Sequence, residues 1–190
     1  MDPKPKQLNP TLWRTCRVLA GSVRLNLLRQ LHDSPGRCVS DLARVVGIGV
    51  SDASQELRRL QSRGLLQAER QGAKLIYGLG ADPQVPSAAP LLKALSDALS
   101  SLPPERDEDM SAIATGLAHP RRIALAAVLM KSPASLSELR GNTRIPAASL
   151  RHHIDFLAAG GYIQHRKGRL AFRPPPHPLA RALSRLARTS

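Results

Sequence analysis

From residue 11 onward, apolar residues recur every three or four positions, the spacing that lines one face of a helix. The pattern predicts helices over 11–20, 23–32, 40–46 and 51–63. It then changes to two short runs, 65–69 and 74–78, which read as strands joined by a turn at Gln71 and Gly72. A further helix is predicted over 90–102. The second half repeats this order, with helices over 110–118, 121–131, 136–142 and 147–159, strands over 162–166 and 169–172 around Gly168, and a last helix over 179–187. Pro174, Pro175 and Pro176 end the final strand, because proline cannot donate to a ladder.

Shifted by about 97 residues, the chain overlays itself. Leu42 falls on Leu139, Ile48 on Ile145, Leu57 on Ile154, Leu60 on Leu157 and Gly64 on Gly161. After a one-residue slip, Leu19, Arg24 and Leu25 fall on Leu117, Arg122 and Ile123. Most of these are core or glycine positions, where two diverged copies of one fold stay alike. Between the copies, residues 103–109 (Pro-Pro-Glu-Arg-Asp-Glu-Asp) read as a short stiff linker whose acids can cap the next helix. The expected plan is a basic disordered arm over 1–10, a first domain over 11–102, the linker over 103–109 and a second domain over 110–190.

In each copy a tight turn, at 46–49 and at 143–146, separates the last two helices before the strands. The fold class is therefore mainly α with small β wings (α+β): two tandem winged helix-turn-helix domains. The helix after such a turn normally enters the major groove of DNA, which admits one helix.

Charge gives that geometry a partner. Lys and Arg outnumber Asp and Glu by 28 to 14, a net charge of +14, which points to a polyanion. Arginine far exceeds lysine, which favours double-stranded DNA over a general solubility surface. No run of 18 apolar residues is present, so a membrane is not the expected partner. Lys4 and Lys6 precede no apolar run, so no signal peptide is expected and the location is cytoplasmic. A glycine-rich phosphate loop, a nucleophile with its base and a zinc signature are all missing, so neither an enzyme nor a cofactor is expected.

In the first recognition helix, 51–63, Ala53, Leu57 and Leu60 point inward. Ser51, Gln55, Arg58 and Ser62 then face outward, flanked by Ser54 and Arg59. Glutamine suits adenine, and arginine suits guanine or phosphate. In the second, 147–159, setting Leu150, Ile154 and Leu157 inward turns Ala148, His152, Asp155 and Ala159 outward, flanked by Arg151 and Phe156, with Ser149 a further candidate. Asp155 thus stands where the first copy has Arg58, so the two heads should read DNA unequally. The wings supply Arg70 and Lys74 in the first copy and Arg166, Lys167 and Arg169 in the second, suited to phosphates or a narrow minor groove. Each such charge alone equally suits an ordinary solvated surface.

The ordered set Leu19-Ala20-Gly21-Ser22-Val23-Arg24, Ser40-Asp41-Leu42-Ala43, Leu57-x-x-Leu60-x-x-x-Gly64-Leu65-Leu66 and Leu75-Ile76-Tyr77-Gly78-Leu79 resembles the ArsR/SmtB family of winged-helix repressors. That resemblance implies a repressor. It also implies pairing through first and last helices, so a chain with two copies is expected to be a monomeric pseudo-dimer, a homodimer of the whole chain being the alternative. Many members sense metals through a Cys-x-Cys pair. Here Cys38-Val39-Ser40-Asp41 keeps one thiol and replaces the other with Ser40, and the equivalent 135–138 reads as a capping box. His152 and His153 diverge by about 100° on a helix, and the last helices offer only Asp97, so no metal is expected. A thiol sensor using Cys38, at a helix start, with Cys16 stays open. So do two other functions, a protein-interaction scaffold and an architectural DNA binder without sequence preference; the scaffold has no need of such charge.

Overall fold

The computed structural model describes residues 11–166 and 168–189. Lys167 and the basic arm over 1–10 lie outside the described residues. The chain divides into two compact units. The first holds Gly21–Asp107, and the second holds Thr11–Ala20 together with the residues from Glu108 onward. Helix α1 (Leu12–Leu19) therefore comes first in the chain yet belongs to the second unit. That differs from the sequence expectation, which grouped 11–20 with the first copy.

The first unit runs α2 (Ser22–Asp33), β1 (Arg37–Cys38), α3 (Val39–Val46), α4 (Val50–Gln61), β2 (Leu66–Gln71), β3 (Lys74–Leu79) and α5 (Ala88–Ser101). Leu25 and Leu28 of α2, Leu42 of α3, Leu57 and Leu60 of α4, and Leu91 and Leu95 of α5 are fully buried, as the helical spacing requires. Gly47 ends α3 in the left-handed region (φ 76°), and the amides of Gly47 and Ile48 both donate to the Ala43 carbonyl. That closes a tight turn and aims α4 away from α3. The strands form an antiparallel sheet in the order β1-β3-β2, with Gln71 opposite Lys74 at the tip. The hairpin is longer than predicted, and β1, only two residues long, was too short for any periodicity to reveal.

Arg29 locks this unit. Its side chain is 7% exposed and forms a two-pronged pair with Asp107, Nε to Oδ2 at 2.8 Å and Nη2 to Oδ1 at 2.6 Å. It also donates to the carbonyls of Leu99 (3.0 Å) and Leu102 (3.1 Å), which α5 leaves open at its C-terminal end.

The second unit adds α6 (Asp107–Leu117), α7 (Pro120–Lys131), α8 (Leu136–Thr143), α9 (Ala147–Ala159), β4 (Ile163–Arg166), β5 (Arg169–Phe172) and α10 (Pro178–Arg188) to α1. Cys16, Leu19, Leu117, Leu125, Leu139, Leu157, Tyr162, Leu179 and Leu183 are buried in it. The Ser111 hydroxyl donates to the Ala20 carbonyl at 2.7 Å, tying α6 to the end of α1. Tyr162 stacks on Phe172 with ring centroids 5.4 Å apart. The linker expected over 103–109 is ordered further than predicted: Pro104–Arg106 form a 3-10 turn and α6 starts at Asp107. Acidic residues favour that start, because the open amides of a helix N-terminus carry positive charge. At the turn after α8, Arg144 takes the left-handed conformation (φ 54°) that Gly47 takes in the first unit.

The predicted capping box forms at α8: the Ser135 Oγ accepts from the Glu138 amide, and the Glu138 carboxylate accepts from the Ser135 amide at 2.7 Å. The same carboxylate accepts from Arg169 at 2.6 and 2.8 Å. The Ser135 amide first, then Arg169 and the Ser135 hydroxyl, hold the Glu138 carboxyl down to about 2 from an ordinary 4.5. A depressed carboxyl stabilises the fold above its unfolded value and loses that contribution as pH falls through its folded one. Wild type should therefore lose stability between about pH 4.5 and pH 2 more steeply than Glu138→Gln, as read by urea denaturation at stepped pH. Parallel pH profiles would contradict this.

Candidate nucleic-acid interface

In the first unit, α4 presents Ser51, Gln55, Arg58 and Arg59 to solvent, with Ser54 half-buried beside them. Val45 and Val50, 42% and 55% exposed, flank the turn that precedes this face. Arg59 pairs with Glu56 one turn away, and Glu56 also receives Arg24 of α2. Arg58 forms no ion pair among the described residues, so its guanidinium is the one on this face open to a ligand. Ser62 donates to the Arg59 carbonyl at 2.7 Å and contributes to the helix end more than to a groove. Arg70 and Lys74 are exposed at the tip of the β2–β3 hairpin.

In the second unit, α9 spans the predicted 147–159 and exposes Ala148, Arg151, His152, Asp155 and Ala159. Ser149 is partly committed: its hydroxyl donates to the Pro146 carbonyl at 3.2 Å and receives Arg121 at 3.4 Å. Phe156 does not flank the groove face. It is half-buried, its ring lies 4.4 Å below the Arg122 guanidinium carbon, and His152 meets it edge-on at 4.8 Å. Arg166 stands exposed at the end of β4. Arg169, placed beside it on the wing by sequence, is instead held by Glu138 and by the Pro133 carbonyl at 3.0 and 3.1 Å. Its side chain stays 47% exposed.

Cys38 is buried at the start of α3, with its Sγ 3.0 Å from Asp41 Oδ2 and 3.1 Å from the Ser40 hydroxyl. The thiol's hydrogen bond, with Arg44 and Lys74 nearby, holds the Asp41 carboxyl below its usual range against partial burial. Cys16 belongs to the second unit and is fully buried; that burial, opposed by its backbone contact and Arg122, pushes its thiol up to about 12. A thiol in that state is a poor nucleophile and a poor ligand at neutral pH. Among the described residues, no three side chains of His, Cys, Asp or Glu gather closely enough to hold a metal ion.

Two features escaped the sequence reading. The Arg24–Glu56 pair joins residues 32 apart, so no local spacing announces it. His153 is buried at 7% exposure, although the inward set was drawn from apolar residues only.

Residues 21–68 match the family described as bacterial regulatory protein, arsR family. That stretch runs from the start of α2 through α3 and α4 into β2. The chain is 34% identical over 63 residues to the HTH-type transcriptional regulator YgaV of Escherichia coli (strain K12), covering 33% of this chain and 64% of that protein. It is 38% identical over 65 residues to the HTH-type transcriptional regulator NmtR of Mycobacterium tuberculosis, covering 34% of this chain and 53% of that protein. It is 31% identical over 77 residues to the HTH-type transcriptional repressor SmtB of Mycobacterium tuberculosis, covering 40% of this chain and 56% of that protein. The chain thus spans between about half and two thirds of the length of the curated relatives it matches. Human N-acetylserotonin methyltransferase in complex with SAM matches 60% of this chain and 45% of that one, at 16% identity and a TM-score of 0.33, too slight a likeness to bear on function.

Proposed function

We propose that this chain is a sequence-specific double-stranded DNA-binding transcriptional repressor of the ArsR/SmtB type, carrying two winged helix-turn-helix units in tandem. One observation carries the reading: the stretch similar to known helix-turn-helix regulators coincides with α3, its tight turn and α4, whose exposed face offers Ser51, Gln55 and an unpaired Arg58. These are groups suited to base edges. The net charge of +14 supplies the attraction to phosphates.

In this reading the units are copies over 11–102 and 110–190, joined through 103–109, and α4 and α9 are the two recognition helices. The recurring order of helices and hairpin supports it. One element departs from that plan: α1 lies within 11–102 yet contributes Leu12, Cys16 and Leu19 to the core of the second unit. The chain in this reading acts as a monomeric pseudo-dimer in the cytoplasm. No helix among the described residues is long and apolar enough to cross a membrane.

Arg58→Ala should cost about 1 to 3 kcal/mol in binding and relax one position of the operator, as expected for a lost guanidinium contact to a base. Arg59→Ala should cost less, because that guanidinium is already matched by Glu56. Fluorescence anisotropy on matched and mutated duplexes checks both, and equal, sequence-independent losses would count against base reading by α4.

A further inference from the structure

The two units differ at a polar pair that is half-buried in the first and buried in the second. In the first, Arg24 is the third residue of α2 and pairs with Glu56, the seventh residue of α4. In the second, the same helix positions hold Arg122, third in α7, and His153, seventh in α9. The carboxylate is gone, and a nitrogen base stands in its place.

The consequences are visible in the side chains. Arg122 is 8% exposed, and its Nε and Nη1 have no hydrogen-bond acceptor. The ring of Phe156 lies 4.4 Å from the guanidinium carbon, which softens the charge but accepts no N–H bond of the usual strength. His153, 7% exposed, also has an unpartnered Nδ1, and its ring lies 4.7 Å from that of His119. His119 is half-exposed, and its Nδ1 accepts from the Arg121 amide at 3.1 Å. The charged groups acting on this cluster are Arg17 of α1, Arg121 and Arg122 of α7, and His152 of α9. The acidic group near Arg122 is the Cys16 thiol, which burial keeps protonated. Burial first, and these cations after it, favour the neutral forms of His119 and His153. Buried donors without acceptors are strongly unfavourable, and a buried cation without a counter-charge is more so.

We propose that Arg122, His153 and His119 form a binding site for a small free oxyanion, of the size of inorganic phosphate or a carboxylate, which supplies the counter-charge that Glu56 supplies in the first unit. Arg122 is only 8% exposed, which favours a compact anion over a phosphodiester flanked by two sugars. The site bridges α7 to α9 and is occupied without DNA, so it does not depend on the DNA-binding reading; the comparison with Arg24 and Glu56 rests only on helix position.

The test uses the full chain at pH 7.5 in a phosphate-free buffer, titrated with inorganic phosphate and separately with acetate, by calorimetry and thermal melting. Saturable one-to-one binding and a raised melting temperature are expected. Arg122→Gln should weaken binding at least about tenfold, as expected on loss of a charge-assisted hydrogen bond. His153→Glu is the decisive variant: it restores the carboxylate of the first unit, so it should abolish phosphate binding while melting no lower than phosphate-free wild type. No saturable binding in the millimolar range, or undiminished binding in His153→Glu, would overturn the proposal. Displacement of bound phosphate by duplex DNA would assign the cluster to the DNA backbone and overturn the free-anion assignment.

Discussion

Between 50 and 200 mM salt, the affinity of the chain for duplex DNA should fall by roughly a thousandfold to a hundred-thousandfold. That range follows if the two units together neutralise six to ten phosphates, since binding then releases a counterion for nearly every contact and log affinity falls by about 0.9 per phosphate per decade of salt. The exposed cations Arg58, Arg70, Lys74, Arg151 and Arg166 are the groups best placed to do this. Arg59 and Arg169 add less, because Glu56 and Glu138 already hold them. Anisotropy titrations at stepped salt measure the slope directly. A slope near zero would contradict DNA binding and favour a protein-interaction role.

The second large effect concerns stability. Arg29→Ala should destabilise the first unit by about 3 to 5 kcal/mol, the cost of breaking a buried ion pair by removing one partner. The loss would strand the Asp107 carboxylate and leave the Leu99 and Leu102 carbonyls without their donor. Arg29→Lys should recover only part of it, since an ammonium cannot reproduce the fork that grips both carboxylate oxygens. Urea denaturation followed by circular dichroism reads both variants. An unchanged midpoint in Arg29→Ala would show that the contact network contributes nothing.

How much of this was legible beforehand depends on the range of the interaction. Helices with a clear apolar stripe declared themselves, and α9 falls on the predicted 147–159 because Leu150, Ile154 and Leu157 recur at helical spacing. The capping box at Ser135 and Glu138 was equally readable, since its whole logic lies within four residues. Contacts across the fold were not. Arg169, read from sequence as a wing contact, reaches Glu138 across 31 residues, and Arg29 reaches Asp107 across 78, pairings that no local spacing reveals. The assignment of α1 to the second unit follows from which core its buried face joins, and periodicity fixes a face without naming its partner. His153 was missed for a chemical reason: a histidine on an inward stripe is invisible to a search for apolar residues.

The exposed faces of α4 and α9 carry different groups. On α4, Gln55 and Arg58 are both exposed, whereas α9 exposes Asp155 at the place of Arg58 and turns Phe156 toward Arg122. A carboxylate is repelled by phosphates unless it accepts from a cytosine amino group, and the flanking alanines read little beyond a thymine methyl. The second head should therefore contribute mainly through Arg151, His152 and Arg166.

The most direct test is selection of bound sequences from a random duplex library with the full chain, read by sequencing. The account predicts an imperfect palindrome whose half-sites are about one helical turn apart, one half strongly specified and the other loose. Two equally informative halves would contradict the unequal heads, and no enrichment over the starting library would contradict sequence-specific DNA binding itself.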